Sequence, residues 1–212
     1  MNKNTTNKPI YWSEAVRHLN HYDPVISKLI KKHKSDKYLT RSNSVFKTMF
    51  KIIIGQQISI EAANSIEKKI VKLLGRITNK NILSISDDDL RKCGLSFRKA
   101  KYLKGIAKLM QTRPNYFQRL KGMSDSNAID ELKLLYGIGQ WSAEMFLIFY
   151  FNRKNILPLG DIGLINSFCN NYKVKRSMFL SNIKKYEKLW DPYCTVATWY
   201  LWRDIDEDVV QY

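Results

Sequence analysis

Serines that stand directly ahead of apolar runs at helical spacing constrain what this chain can fold into. Ser44 precedes Phe46, Met49, Phe50 and Ile53, and Ser59 precedes Ile60, Ala63, Ile66, Ile70 and Leu74. A hydroxyl at such a place accepts from an otherwise unpaired first-turn amide. Steps of three and four then gather the apolar side chains on one face. Ser86 is followed by Asp87, Asp88 and Asp89, acidic residues at the positive end of a helix dipole. Gly55, Gly75 and Gly94 end these patterns.

The same reading predicts two short helices within 11–33, separated at Pro24, then helices over 45–54 and 59–74 and one from Leu90 to Gly94. Others are expected over 97–110, 125–136, 142–151, 161–172, 177–190 and 195–202, the last leading to an acidic tail of Asp204, Asp206, Glu207 and Asp208. No long alternating pattern suggests a strand, and no segment repeats. An all-α chain of about ten helices is the expectation.

The formal net charge of +17 commonly marks a nucleic-acid partner, because Lys and Arg that neutralise phosphates release condensed counterions. A chain rich in Lys, Asn and Ile also gains surface charge through codon usage, so charge alone does not decide. Lys99, Lys101 and Lys104 either line a DNA-facing surface or are simply solvated. The three cysteines, Cys93, Cys169 and Cys194, are far apart, and His18, His21 and His33 lie together near the N-terminus. That spacing argues against a zinc or iron–sulfur site. The polar Met1–Pro9 stretch has no signal-peptide core, and no run reaches the ~20 apolar residues of a membrane span. A soluble, cytoplasmic protein without a membrane partner is expected.

One segment carries more chemistry: Leu132-Lys-Leu-Leu-Tyr-Gly-Ile-Gly-Gln-Trp-Ser-Ala143. Two helical runs are joined by Gly137-Ile138-Gly139. Glycines there allow positive φ and close approach of another backbone, and the first-turn amides of the next helix suit a phosphate. A plain helix–helix corner has the same Gly-x-Gly, but Leu132, Leu135, Ala143 and Phe146 on the flanks make the motif more specific.

With those flanks the stretch 132–164 resembles the helix-hairpin-helix DNA glycosylases, in particular the 3-methyladenine DNA glycosylase II branch. Three other blocks resemble the same branch in the same order: Ile54-Gly-Gln-Gln-Ile-Ser59, Cys93-Gly-Leu-Ser-Phe-Arg-Lys-Ala100, and Trp190-Asp-Pro-Tyr193 with Ala197-Thr-Trp-Tyr-Leu-Trp202. The resemblance implies one glycosylase unit of two all-α lobes with the active cleft between them, without the extra N-terminal β-rich domain of some members. It implies Asp161 as the catalytic carboxylate, although the position also suits a helix N-cap. Members that cut the strand hold a lysine where this chain has Trp141, so a monofunctional enzyme is implied.

Trp141, Trp190 and Tyr193 are the candidates for an aromatic base pocket, with Trp199 and Trp202 read as core. Gln56, Gln57, Ile58 and Ser59, with Gly137, Gly139 and Ser142, are the candidates for DNA contact, Gln57 or Ile58 filling the gap left by an extruded nucleotide. Cys194 stands where the family often has an arginine. The expected partner is double-stranded DNA containing damaged bases, the expected state a monomer. No metal or cofactor is expected, the one allowance being a monovalent cation at the hairpin.

Overall fold

The computed structural model describes residues 8–33 and 37–206, which form thirteen α-helices, two short 3-10 helices and no strand. The expected Glu207 and Asp208 of the acidic tail, and most of Met1–Pro9, lie outside the described residues. No helix among the described residues is long and apolar enough to cross a membrane.

Two compact units divide the chain, and they are not consecutive in sequence. Unit 1 combines the described residues up to 41 with those from 152 onward; unit 2 is the continuous stretch 42–151.

Unit 1 holds α1 (Trp12–Tyr22) and α2 (Pro24–Lys32), and later α11 (Ile162–Tyr172), α12 (Phe179–Trp190) and α13 (Cys194–Ile205). α13 packs against α2 and α11, and α1 against α2 and α12. The side chains from Cys194 to Leu201 are all buried, as expected of a helix apolar on every face. Trp12 meets Trp199 edge-on, with ring centroids 5.0 Å apart. Asp204, expected in an acidic tail, instead belongs to α13 and receives a 2.6 Å ion pair from Lys32.

Asp23 lies between α1 and α2 and is buried. Its Oδ1 accepts from the amides of Val25 (2.8 Å) and Ile26 (3.2 Å), capping α2. Its Oδ2 accepts from Tyr172 Oη (2.5 Å) and Trp190 Nε1 (2.7 Å). A buried carboxylate is tolerable only when it is paired or hydrogen-bonded, and four donors meet that demand. Burial next to this carboxylate drives the Tyr172 phenol far above its ordinary range.

Unit 2 contains α3 (Val45–Gly55), α4 (Ile60–Leu74), α5 (Asn79–Ser84), α6 (Asp87–Lys92), α7 (Phe97–Thr112), α8 (Tyr116–Arg119), α9 (Asp125–Lys133) and α10 (Gln140–Phe149). The serines act as their positions suggest: Ser44, Ser59 and Ser86 accept from the amides of Lys47, Ala62 and Asp89. α5 and α8 were not expected, being too short to show a periodic pattern. α10 is buried from Ser142 to Phe149 and packed on α3 and α9.

α9 ends three residues earlier than its apolar pattern predicts. Leu134, Leu135 and Ile138 donate to the carbonyls of Glu131, Leu132 and Leu135, each three residues back. The tightened backbone turns Leu134 and Tyr136 outward, and Tyr136 is 69% exposed.

Candidate active site and DNA-contact elements

Asp161 sits at the N-cap of α11, as one of its two sequence readings requires. Its Oδ1 accepts from Leu164 N at 2.7 Å, and the same oxygen accepts from Trp202 Nε1 at 2.7 Å. Trp202, expected in the core, is half-buried and holds the carboxylate from α13. Gly163 makes this fit: a methyl group there would fall 3.2 Å from both Asp161 Oδ1 and Trp202 Cδ1.

The segment leading to Asp161 is tied to the other end of the same helix. Thr195 Oγ1 donates to Arg153 O at 2.7 Å and accepts from Ile156 N at 2.9 Å. Asn155 Oδ1 accepts from Cys194 N at 3.2 Å, and Asn155 Nδ2 donates to Asp191 Oδ1 at 2.7 Å. α13 thus holds the loop before Asp161 at its start and the carboxylate itself near its end.

Two of the base-pocket candidates lie in the interior of unit 1. Trp190 is 0% exposed, packed among Phe168, Tyr172 and Tyr186, with its N–H given to Asp23. Such a ring has no face to offer a base. Tyr193 is buried against His18 and beneath Lys154, whose Nζ lies 5.4 Å from the ring centroid. It precedes α13, while Trp202 lies nine residues on, about 13 Å along the axis. Neither residue joins Asp161. Cys194 is buried too, and burial with nearby Glu187 and Asp191 pushes its thiol up to about 12. The place where the family often has an arginine is therefore interior in this chain.

In unit 2 the hairpin glycines differ from each other. Gly137 has φ +87°, and a methyl group there would fall 2.2 Å from Tyr102 Cγ, so conformation and space both exclude a side chain. Gly139 has φ −98° with extended ψ, and a methyl group there would meet nothing within 4 Å. Positive φ, expected of both, belongs to Gly137 alone. Gly139 leads into α10 without any side-chain cap, whereas Ser59 and Asp161 cap the helices that follow them. Trp141 is half-buried in the first turn of α10.

Two candidate DNA contacts turn inward. Gln56 Nε2 donates to Gly137 O and to Ser142 Oγ, both at 2.9 Å. Ser142 is buried, and its hydroxyl oxygen accepts this bond. Gln57 and Ile58 follow on the exposed side, and Gln57 holds φ +58°, uncommon for a residue with a side chain. Ser59 is exposed as well, its hydroxyl capping α4.

The basic residues of α7 also separate. Lys99 is half-buried, its Nζ donating to Ile54 O (2.8 Å) and Gln56 O (2.6 Å) at the end of α3; burial lowers its pKa. Lys104 pairs with Asp87, and Lys101 lies over the Phe97 ring. Sequence reading missed Tyr102, took Lys99 as DNA-facing or solvated, and took Trp202 as core. The signal each leaves is only its place on a helix face.

Comparison with known proteins shows the family. Residues 50–192 match the family described as HhH-GPD superfamily base excision DNA repair protein. DNA-3-methyladenine glycosylase 1 of Schizosaccharomyces pombe is 27% identical over 166 residues, spanning 74% of this chain and 71% of that protein. The DNA-3-methyladenine glycosylase of Saccharomyces cerevisiae is 26% identical over 213 residues, spanning 93% and 72%. Among solved structures, the S. pombe 3-methyladenine DNA glycosylase in complex with abasic DNA superposes with a TM-score of 0.79 at 25% identity, covering 93% of this chain and all of that one. The matched stretch contains the hairpin, Gln56 and Asp161, and the family has the same all-α fold: the chain belongs to the HhH-GPD superfamily of base excision DNA repair proteins.

Proposed function

We propose that the protein is a monofunctional DNA glycosylase that hydrolyses the N-glycosidic bond of alkylated purines, 3-methyladenine and 7-methylguanine among them, and leaves an abasic site. The observation that carries this reading is Asp161, a carboxylate oriented by two N–H donors on one oxygen. The relatives named as 3-methyladenine glycosylases support it.

The chemistry asks little of the protein. As the bond from C1′ to the base nitrogen breaks, the base leaves with the electron pair and positive charge develops on the deoxyribose. A fixed carboxylate stabilises that charge, and water adds to C1′ with loss of a proton. A purine alkylated at N3 or N7 already carries positive charge and leaves neutral, so no acid is needed to protonate it. Such a base stacks well on an electron-rich ring, and Trp141 is the residue assigned to that task. Trp141 also occupies the position at which strand-cutting members carry a nucleophilic lysine, so the reaction ends at the abasic site.

Gripping belongs to unit 2. The amides after Gly139 take a phosphate without reading sequence, and Gln57 or Ile58 fills the space left by the flipped nucleotide.

Asp161→Asn tests the reading. Asparagine caps helices about as well as aspartate, so the fold should persist. Base release from methylated duplex DNA should fall on the order of a hundredfold or more, with affinity for an abasic-site duplex largely retained. Normal excision by this variant would reject the mechanism, and prompt strand nicking by the wild type without alkali would reject the monofunctional assignment.

A further inference from the structure

The turn that carries Gln57 and Ile58 and the Gly137–Gly139 hairpin are about eighty residues apart in sequence, yet one side chain joins them. The two bonds from Gln56 Nε2, to Gly137 O and Ser142 Oγ at 2.9 Å each, fix the start of the turn to the hairpin and to the first turn of α10. The other end of Gln56 is fixed as well. Lys99 Nζ donates to its carbonyl at 2.6 Å and to that of Ile54 at 2.8 Å, bridging the end of α3. Lys99 and Tyr102 are three apart on α7 and so share a face. Tyr102 presses its ring on Gly137, the residue whose carbonyl Gln56 holds. One face of α7 thus backs both elements, with Gln56 as the cross-link between them.

The next residue, Gln57, is in the left-handed region. A side chain held in a sparsely populated conformation needs neighbours that over-determine it, and such strain gathers at functional segments. In this chain Gln56, the residue directly before Gln57, is fixed at both its side chain and its carbonyl.

We propose that Gln56 is a positioning residue, not a DNA contact: it sets the spacing between the element that grips the phosphate and the element that fills the vacated stack. The proposal rests on the function proposed above. It makes insertion of Gln57 and Ile58 depend on the hairpin being in place, so the two act as one rigid unit when the duplex is opened.

A double-mutant cycle tests it. Gln56→Met removes both donors at similar volume; Gln57→Ala combined with Ile58→Ala removes the plug. Two readouts apply: single-turnover base release from N-methylated duplex DNA, and fluorescence of a 2-aminopurine beside a tetrahydrofuran abasic-site analogue, which reports unstacking at the plug. Each change alone should lower base release about tenfold, and adding the plug change to Gln56→Met should lower it less than about twofold further, because the plug is already misplaced. The 2-aminopurine signal should fall in Gln56→Met as it does in the plug variant.

Additive losses, or a Gln56→Met protein with unchanged fluorescence, would overturn the proposal. If Gln56→Met does not fold, Ser142→Ala removes one of the two acceptors by a small truncation and should show the same non-additivity at smaller size. A wild type that neither releases bases nor binds the abasic duplex would bring down the proposed function and this inference with it. An active wild type with an additive cycle would bring down this inference alone.

Discussion

Trp202 Nε1 and the backbone amide of Leu164 donate to the same oxygen of Asp161, each at 2.7 Å. One donor belongs to α13 and the other to α11, so the orientation of the carboxylate is set by two helices packed on each other. A cap alone would leave the carboxyl group free to follow the fraying of α11; the indole removes that freedom.

Trp202→Phe keeps an aromatic ring, though a smaller one, and deletes the donor. Loss of one hydrogen bond should cost about 1 kcal/mol of stability, read from urea denaturation. The larger effect should be on the chemical step, a loss of about tenfold in single-turnover base release with little change in DNA affinity. If excision survives intact, the indole only packs.

The unequal hairpin glycines give opposite expectations for the same substitution. Gly137→Ala forces a methyl group into the Tyr102 ring at a φ of +87°, so it should destabilise the protein by about 1–3 kcal/mol or more. Gly139→Ala meets open space and should leave the urea midpoint unchanged, while weakening affinity for duplex DNA if the amides after Gly139 take a phosphate as proposed. Equal effects of the two on stability would contradict the geometry.

Trp190→Phe leaves Asp23 Oδ2 with Tyr172 as its remaining side-chain donor. The expected cost is roughly 1–3 kcal/mol, seen as a lower melting temperature. The ratio of bases released from methylated DNA should not move, since the ring is sealed in the core of unit 1. A changed ratio would restore Trp190 to the base pocket.

Alkaline pH should unfold this protein early. Burial raises the Cys194 thiol and the Tyr116 phenol to about 12, and places the Tyr11 and Tyr172 phenols higher still. In the unfolded chain these groups ionise from about pH 8.5 to 10. Their contribution is complete below that range and is lost as pH climbs toward the folded values, because the folded state then holds more protons than the unfolded one. The Tyr193 and Tyr200 phenols, also raised by burial, act in the same sense, and Lys99, lowered by burial, acts in the opposite one. The urea midpoint should therefore fall steadily from pH 8.5 to 11, and Tyr172→Phe should flatten part of the decline. A flat or rising midpoint would contradict the assignment.

Most helix starts were legible because their causes are local. Ser44, Ser59, Ser86 and Asp161 each accept an amide three residues ahead, within one turn. The family was legible for a related reason: its blocks are short and keep their order. What escaped sequence reading are bonds between distant residues. Asp23 looks like an ordinary cap before a proline, yet its second oxygen takes donors 149 and 167 residues away. The Trp202 bond to Asp161 spans 41 residues, and nothing in the spacing separates Trp202 from Trp199. The burial of Trp190 was not legible, because a tryptophan in a family block carries the same letter whether it faces a ligand or the core. Both hairpin glycines looked alike until Tyr102 was seen to lie on one of them.

The interruption of unit 1 by the whole of unit 2 has a consequence for synthesis. A growing chain delivers α1 and α2 first, yet their packing partners α12 and α13 come after residue 152. Unit 2 is contiguous and has its full set of helices before those partners exist. The carboxylate at Asp161 then waits for Trp202 and α13, so the part of the protein proposed to break bonds is completed after the part proposed to hold DNA. A ribosome-stalled chain ending before α13 would carry the hairpin without the indole that orients Asp161.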